Sequence, residues 1–244
     1  MRDIDRARND SRVRTLLAEI ERHVQIKYER SDRDGWTSNM EGKTAYIGFT
    51  ECQHPSAALA HELLHITTQL QGYRRMRISF SAPERAPKVK RILECLDNEL
   101  QHHKFYPRFL SLKFRPNQFY GDSDLSTEKY LLEAGGRTHE SAMDIIPDWF
   151  TAFAPGGSIK DDAKEHIRTI FLANSGGRFR QQLLDVEAGV REWASSPLYD
   201  AVPTVRRIFL IAEPVDNLTW VGFDANDRPP DRGFFVDKNF EIRN

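Results

Sequence analysis

The chain has 244 residues with 35 basic and 36 acidic side chains, a formal charge of −1, which sets up no overall field for nucleic acid or anionic lipid. Its 39% hydrophobic and 29% charged residues exclude wholesale disorder and low-complexity scaffolds. Two cysteines make no disulfide framework, no apolar run follows Met1 as in a secretory signal, and the longest apolar run (208–212) is too short to span a membrane, so a cytoplasmic protein is expected.

Residues 1–22 place Val13, Leu16, Leu17 and Ile20 at helical spacing. Six arginines in this stretch are nearly cancelled by Asp3, Asp5, Asp10, Glu19 and Glu21, which marks a solvated helix face rather than a nucleic-acid arm. Val24, Ile26 and Tyr28 alternate with polar residues and predict a strand. A polar loop with an Asp34-Gly35 turn follows, then a second strand over 44–49. Pro55 suits the first turn of a helix that should run to Leu70, with Gly72 at its end. Residues 74–83 read as a basic loop; between Arg74 and Arg91 there are seven bases and one acid. A second helix is predicted over about 84–103, with Pro107 as its stop. Beyond residue 121 helical patterns recur at 127–134, 139–153, 161–173 and 178–193. Short strands are expected at 207–212, 218–223 and 233–237. The predicted organisation is a domain over 1–120 and a helical plus β module over 121–244, which can equally be the rest of one domain.

The chemistry concentrates in the first long helix, where Ala58-Leu59-Ala60-His61-Glu62-Leu63-Leu64-His65-Ile66 contains H-E-x-x-H. Two histidines four apart project from one helix face, so both imidazoles can reach one ion. Zinc suits them because it accepts imidazole in a tetrahedral site with one open position. Glu62 stands beside the first ligand, placed to take a proton from a water on the metal. Leu59, Leu63, Ile66 and Leu70 form a stripe for the core, with His61 and His65 opposite, alongside Ala57, Ala58 and Thr68.

Over residues 45–105 the sequence resembles the zincin metallopeptidases. Metzincins carry Gly and His three and six residues after the second motif histidine; Thr68 and Gln71 stand there, which excludes that branch. The resemblance is to gluzincins and the compact ImmA/IrrE-type peptidases, whose third ligand is a carboxylate on a later helix. It implies His61 and His65 as ligands of one zinc per chain and Glu62 as general base. It also implies an α+β fold, with a small mixed or antiparallel sheet beside two metal-ligand helices, then a helical segment ending in a few strands.

The second helix offers Glu94, Asp97, Glu99, His102 and His103. Val89, Ile92, Leu93, Leu96 and Leu100 define its buried stripe. Glu94 lies nearly opposite that stripe, whereas Glu99 lies at its edge, about 80° from its centre. Glu99 is therefore the preferred third metal ligand, with Asp97 at the other edge and His103 inside the stripe as alternatives. The Asn98-Glu99 pair also resembles the Asn-Glu in which many gluzincins carry their ligand. His103, four residues after Glu99, is a candidate for stabilising the oxyanion, for orienting a ligand, or for simple burial. Tyr73 and Tyr106 are weaker oxyanion candidates. His54 reads as a helix cap. Cys95, and more weakly Cys52, could hold the metal's open position as an inhibitory thiolate.

The expected function is zinc-dependent hydrolysis of peptide bonds, with the strand over 44–49 as the edge that pairs with an extended substrate. The resemblance points to limited intracellular proteolysis of a regulatory protein such as a transcriptional repressor. Membrane association and direct nucleic-acid binding are not expected. The competing reading is a zinc-binding sensor or interaction module without turnover, against which the intact Glu62 argues.

Overall fold

The structure, a computed structural model, describes residues 2–32, 35–80, 86–120, 127–139, 141–212, 219–222, 234–236 and 242–243. The fold is α+β and mostly helical. Its contacts divide it into two units, Met1–Gln71 with Lys104–Lys129 and Pro155–Asp161, and Gly72–His103 with Tyr130–Ala154 and Asp162–Asn244. Each unit thus draws on both sides of residue 121. Among the described residues no helix is long and apolar enough to cross a membrane.

The first unit opens with α1 (Arg2–Asn9) and α2 (Ser11–Ile20) in place of the single helix predicted over 1–22. The break is chemical. Asp10 leaves helical geometry and caps α2, its carboxylate accepting from the Arg12 backbone N–H at 3.0 Å. The guanidinium of Arg12 holds the same carboxylate at 2.7 Å and lowers its pKa to about 2. The apolar positions of α2 are those the spacing predicted, and Val13, Leu16, Leu17 and Ile20 are buried.

A three-stranded sheet follows, β1 (Gln25–Arg30), β2 (Thr37–Glu41) and β3 (Thr44–Phe49), in the order β1-β3-β2. It is mixed, since β1 runs parallel to β3 and β2 antiparallel. The polar stretch expected to be a loop therefore contains a strand. Its Ser38 and Asn39 carry no β signal, but the hairpin does. Gly42 opens the tight connection to β3 at φ 58, where a side chain would be strained. One expectation is corrected here. The strand over 44–49 is the central strand, paired on both sides, and the edge beside the motif helix is β2.

Helix α3 (Pro55–Leu70) has the predicted bounds. It packs against α1, α2 and β2. The end of α4 (Ala86–Ser111) also belongs to this unit and supplies Phe105 and Phe109 to the same core as Leu59, Leu63 and Phe119. Pro107 does not stop α4. Proline removes one helical hydrogen bond, but burial of Phe105 and Phe109 on either side outweighs that loss.

In the second unit, β4 (Arg77–Phe80) replaces part of the basic loop expected over 74–83. It heads an antiparallel sheet with β5 (Thr219–Gly222), β6 (Phe234–Val236) and β7 (Ile242–Arg243), in the order β4-β5-β6-β7. Among the described residues this strand pairs with β5, from Arg77 with Gly222 to Phe80 with Thr219, a partner that local sequence does not announce. Residues 81–85, including Arg85 of the basic stretch, lie outside the described residues.

The helices of this unit are the first part of α4, most of α5 (Thr127–Gly135), α6 (Ala142–Phe153), nearly all of α7 (Asp161–Asn174), α8 (Gly176–Ser195) and α9 (Val202–Ala212). Trp149 is fully buried, its indole N–H donating to the Leu183 carbonyl at 2.9 Å. Buried Glu187 holds Arg168 and Arg191 at 3.0 and 2.7 Å. The strand predicted at 207–212 is instead the end of α9. Ala201, Val205, Ile208 and Phe209 are buried at helical spacing, and Asp200 accepts from the Val202 N–H at the start. A short apolar run alone does not separate strand from helix; its upstream partners do.

Candidate metal centre

The H-E-x-x-H segment lies in the middle of α3, where no glycine or proline interrupts the helix. Its surroundings differ from an amphipathic helix with one open face. Leu59, Leu63 and Ile66 are buried, but so are Ala57, Ala60, Leu64 and Thr68. His61, Glu62 and His65 retain only 8%, 7% and 8% of their exposure, so three polar side chains are carried into the interior together. Burial of that kind is costly unless the groups are paired or hold an ion.

The Nε2 atoms of His61 and His65 lie 3.1 Å apart. Two nitrogens on one tetrahedral zinc, each about 2.0–2.1 Å from it, would be about 3.3 Å apart. The spacing fits a shared ion and also a hydrogen bond between two neutral imidazoles. Aromatic rings fix the imidazole planes. Phe105 meets His61 and His65 edge-on at 5.3 and 4.8 Å, and Phe119 lies 4.6 Å from the His61 ring. These apolar walls lower the local dielectric and strengthen any charge interaction at the nitrogens.

Phe105 also explains the third histidine. His102 precedes it by three residues on the unbroken helix α4 and so shares its face. The ligand atoms of His61, His65 and His102 all lie within 4.8 Å of one another, and all three residues are buried. This group could hold a metal ion.

Glu99, the preferred third ligand from sequence, is not a member of that group. It is buried, with Oε1 3.4 Å from His102 Nδ1 and Oε2 3.9 Å from His103 Nε2. Burial raises its carboxyl to about 7, against the pull of His103 and Lys164. Burial pushes His102 down to about 3 and His103 down to about 4. The structure places His103 against Phe153, at a ring distance of 5.5 Å, rather than in the three-histidine group.

Asp97 serves another purpose. Its carboxylate accepts from the Tyr73 hydroxyl at 2.8 Å, Gln101 Nε2 at 3.1 Å and Arg75 Nε at 3.4 Å. It thereby ties the segment after α3 to α4, and it engages the Tyr73 hydroxyl that the sequence offered for an oxyanion. Tyr106 is half-buried and packs edge-on against Phe119 at 5.0 Å. His54 occupies the N-cap position of α3 without a side-chain cap hydrogen bond, which corrects the capping expectation. Cys95 is half-buried, and burial pushes its thiol up to about 11, so it is protonated at neutral pH. Cys52 is half-buried ahead of α3 and takes part in no disulfide.

His102 is the residue that sequence reasoning passed over. The sequence offers it on the second helix with no role assigned; on a wheel of about 100° per residue it lies far from the apolar stripe. Between Leu96 and Phe105, however, α4 is buried on nearly every side, with only Asn98 exposed. A helix buried all round gives no stripe by which to rank its polar residues. The legible signal was the acid–histidine spacing of Glu99 and His102.

Compared with family models, with curated proteins and with solved structures, the chain matches none.

Proposed function

We propose that the chain is a zinc-dependent endopeptidase of zincin type, with His61, His65 and His102 holding one zinc ion and Glu62 as general base. The observation that carries this reading is the convergence of three buried histidines, two of them flanking Glu62 in H-E-x-x-H on one helix. Three neutral imidazoles suit zinc and leave its fourth position open to water or substrate. The bound ion would supply a lowered water pKa and a polarised carbonyl.

The chain's own residues do the rest. Glu62 takes the proton of the attacking water and returns it to the leaving amine, a role worth about 10²–10⁴ in rate. Phe105 and Phe119 pack against the His61 ring and hold its plane. Strand β2 offers its outer edge to an extended peptide, since it pairs on one side with β3 and packs beside α3. A small mixed sheet with an antiparallel edge strand next to the motif helix supports the zincin reading. The substrate class follows the ImmA/IrrE-type resemblance: a regulatory protein, such as a repressor, cut at few sites.

The test is cleavage of a peptide library by the zinc-loaded protein, mapped by mass spectrometry, beside Glu62→Gln. Wild type is expected to cut, and Glu62→Gln to keep its zinc and lose cutting. Equal cleavage by both would remove Glu62 from the mechanism. Zinc binding without cleavage in wild type would favour the sensor-module reading.

A further inference from the structure

The three-histidine group leaves one buried acid unexplained. Glu99 is buried on α4, is absent from the converging donors, and sits against two histidines, with Lys164 near enough to favour its charged form. Among the described residues its Oε2 is one of the few buried polar atoms without a hydrogen bond. A carboxyl group in that position costs folding free energy, which is reason to look for a role at the site.

Its Oε1 identifies the task. That oxygen faces Nδ1 of His102 at 3.4 Å, three residues on along the same helix. An imidazole nitrogen that faces a carboxylate carries the ring's proton, and the other nitrogen then carries the lone pair. Nδ1–H directed at Glu99 therefore leaves Nε2 of His102 as the atom available to an ion. A ligating histidine whose second nitrogen donates to a carboxylate has its tautomer and ring plane fixed and its basicity raised.

We infer that Glu99 is a positioning residue that fixes His102 as its Nδ1–H tautomer and presents Nε2 to the metal. This rests on the metal-binding reading above and differs from direct ligation by Glu99, since the carboxylate acts through His102. It also accounts for the depth of burial. In a desolvated setting the carboxylate's field on the His102 ring is little screened.

The experiment uses the full chain with ¹⁵N-labelled histidine at pH 8, with and without added zinc. Long-range ¹H–¹⁵N spectra report which nitrogen of each ring is protonated, with His102 assigned by comparison with His102→Gln. In the metal-free protein His102 should carry its proton on Nδ1, and zinc should move the Nε2 resonance. Glu99→Leu should lose the Nδ1–H preference and weaken zinc binding about 10–100-fold. Glu99→Gln should keep both the tautomer and most of the affinity, because its amide oxygen accepts the same hydrogen bond. That rescue also separates positioning from a packing defect in Glu99→Leu. A proton on Nε2 of His102 in the wild type would overturn the inference. So would loss of zinc from Glu99→Gln as complete as that from His65→Ala, which would make Glu99 a ligand. Failure of the wild type to bind zinc would sink the metal reading and this role with it, and the wild-type titration shows that before any variant is compared.

Discussion

The two helices that carry the histidines teach different lessons about buried polar residues. Helix α3 holds His61, Glu62 and His65 within five residues, so its chemistry is local and its bounds match the pattern of apolar residues, Pro55 and Gly72. Helix α4 holds Asp97, Glu99, His102 and His103 within seven residues and assigns them different tasks. Asp97 anchors the chain that follows α3, His102 joins the converging histidines, and Glu99 lies between His102 and His103. In α3 the sequence motif names the candidate donor atoms. In α4 only the surroundings distinguish an anchor from a candidate donor.

Core truncations probe whether the helices bear the fold equally. Leu63 on α3 and Leu96 on α4 are both fully buried. Leu63→Ala and Leu96→Ala should each lower unfolding free energy by about 2–5 kcal/mol, measured by denaturant titration. A cost below 1 kcal/mol at either site would mean that helix packs more loosely than described.

Acid sensitivity should separate the helices next. In the metal-free protein, burial holds His102 and His103 neutral down to about 3 and 4 and raises Glu99 to about 7. Unfolded, these groups titrate near 6.5 and 4.3. Between about pH 4.5 and 6.5, unfolding lets two imidazoles take up protons while Glu99 releases one, a net uptake of about one proton. Stability of the metal-free protein should therefore fall as pH drops through that window, and His102→Gln should flatten the dependence. A stability that rises toward pH 5 would contradict the burial of this cluster.

The smallest effect lies outside both helices. Asp10 caps α2, and its pKa is lowered to about 2 by Arg12. Its contribution is present above about pH 4 and lost as pH falls toward 2. Asp10→Ala should cost about 1 kcal/mol at pH 7, read from the shift of the thermal midpoint. No change would show that Arg12 alone sets the break between α1 and α2.

What was legible in the sequence followed from local signals. Apolar spacing placed α2, α3 and α6 through α8, and H-E-x-x-H placed His61, Glu62 and His65 on one helix. What escaped depended on partners far along the chain. Strand β4 needs β5, β2 needs its hairpin to β3, and the strand expected over 207–212 rested on the last six residues of α9 alone. Pro107 should stop a solvated helix and does not stop one flanked by two buried phenylalanines. His102 escaped for a related reason, because ranking residues by an apolar stripe presumes a wet side that this part of α4 lacks.

The central claim is that a ligand on α4 completes the pair on α3, and that the ligand is His102. The most direct measurement is zinc per chain by elemental mass spectrometry, on protein purified without a metal-binding tag, beside His61→Ala and His102→Ala. The account predicts about one zinc in wild type and none in either variant. Zinc retained by His102→Ala, or no zinc in the wild type after reconstitution, would contradict it.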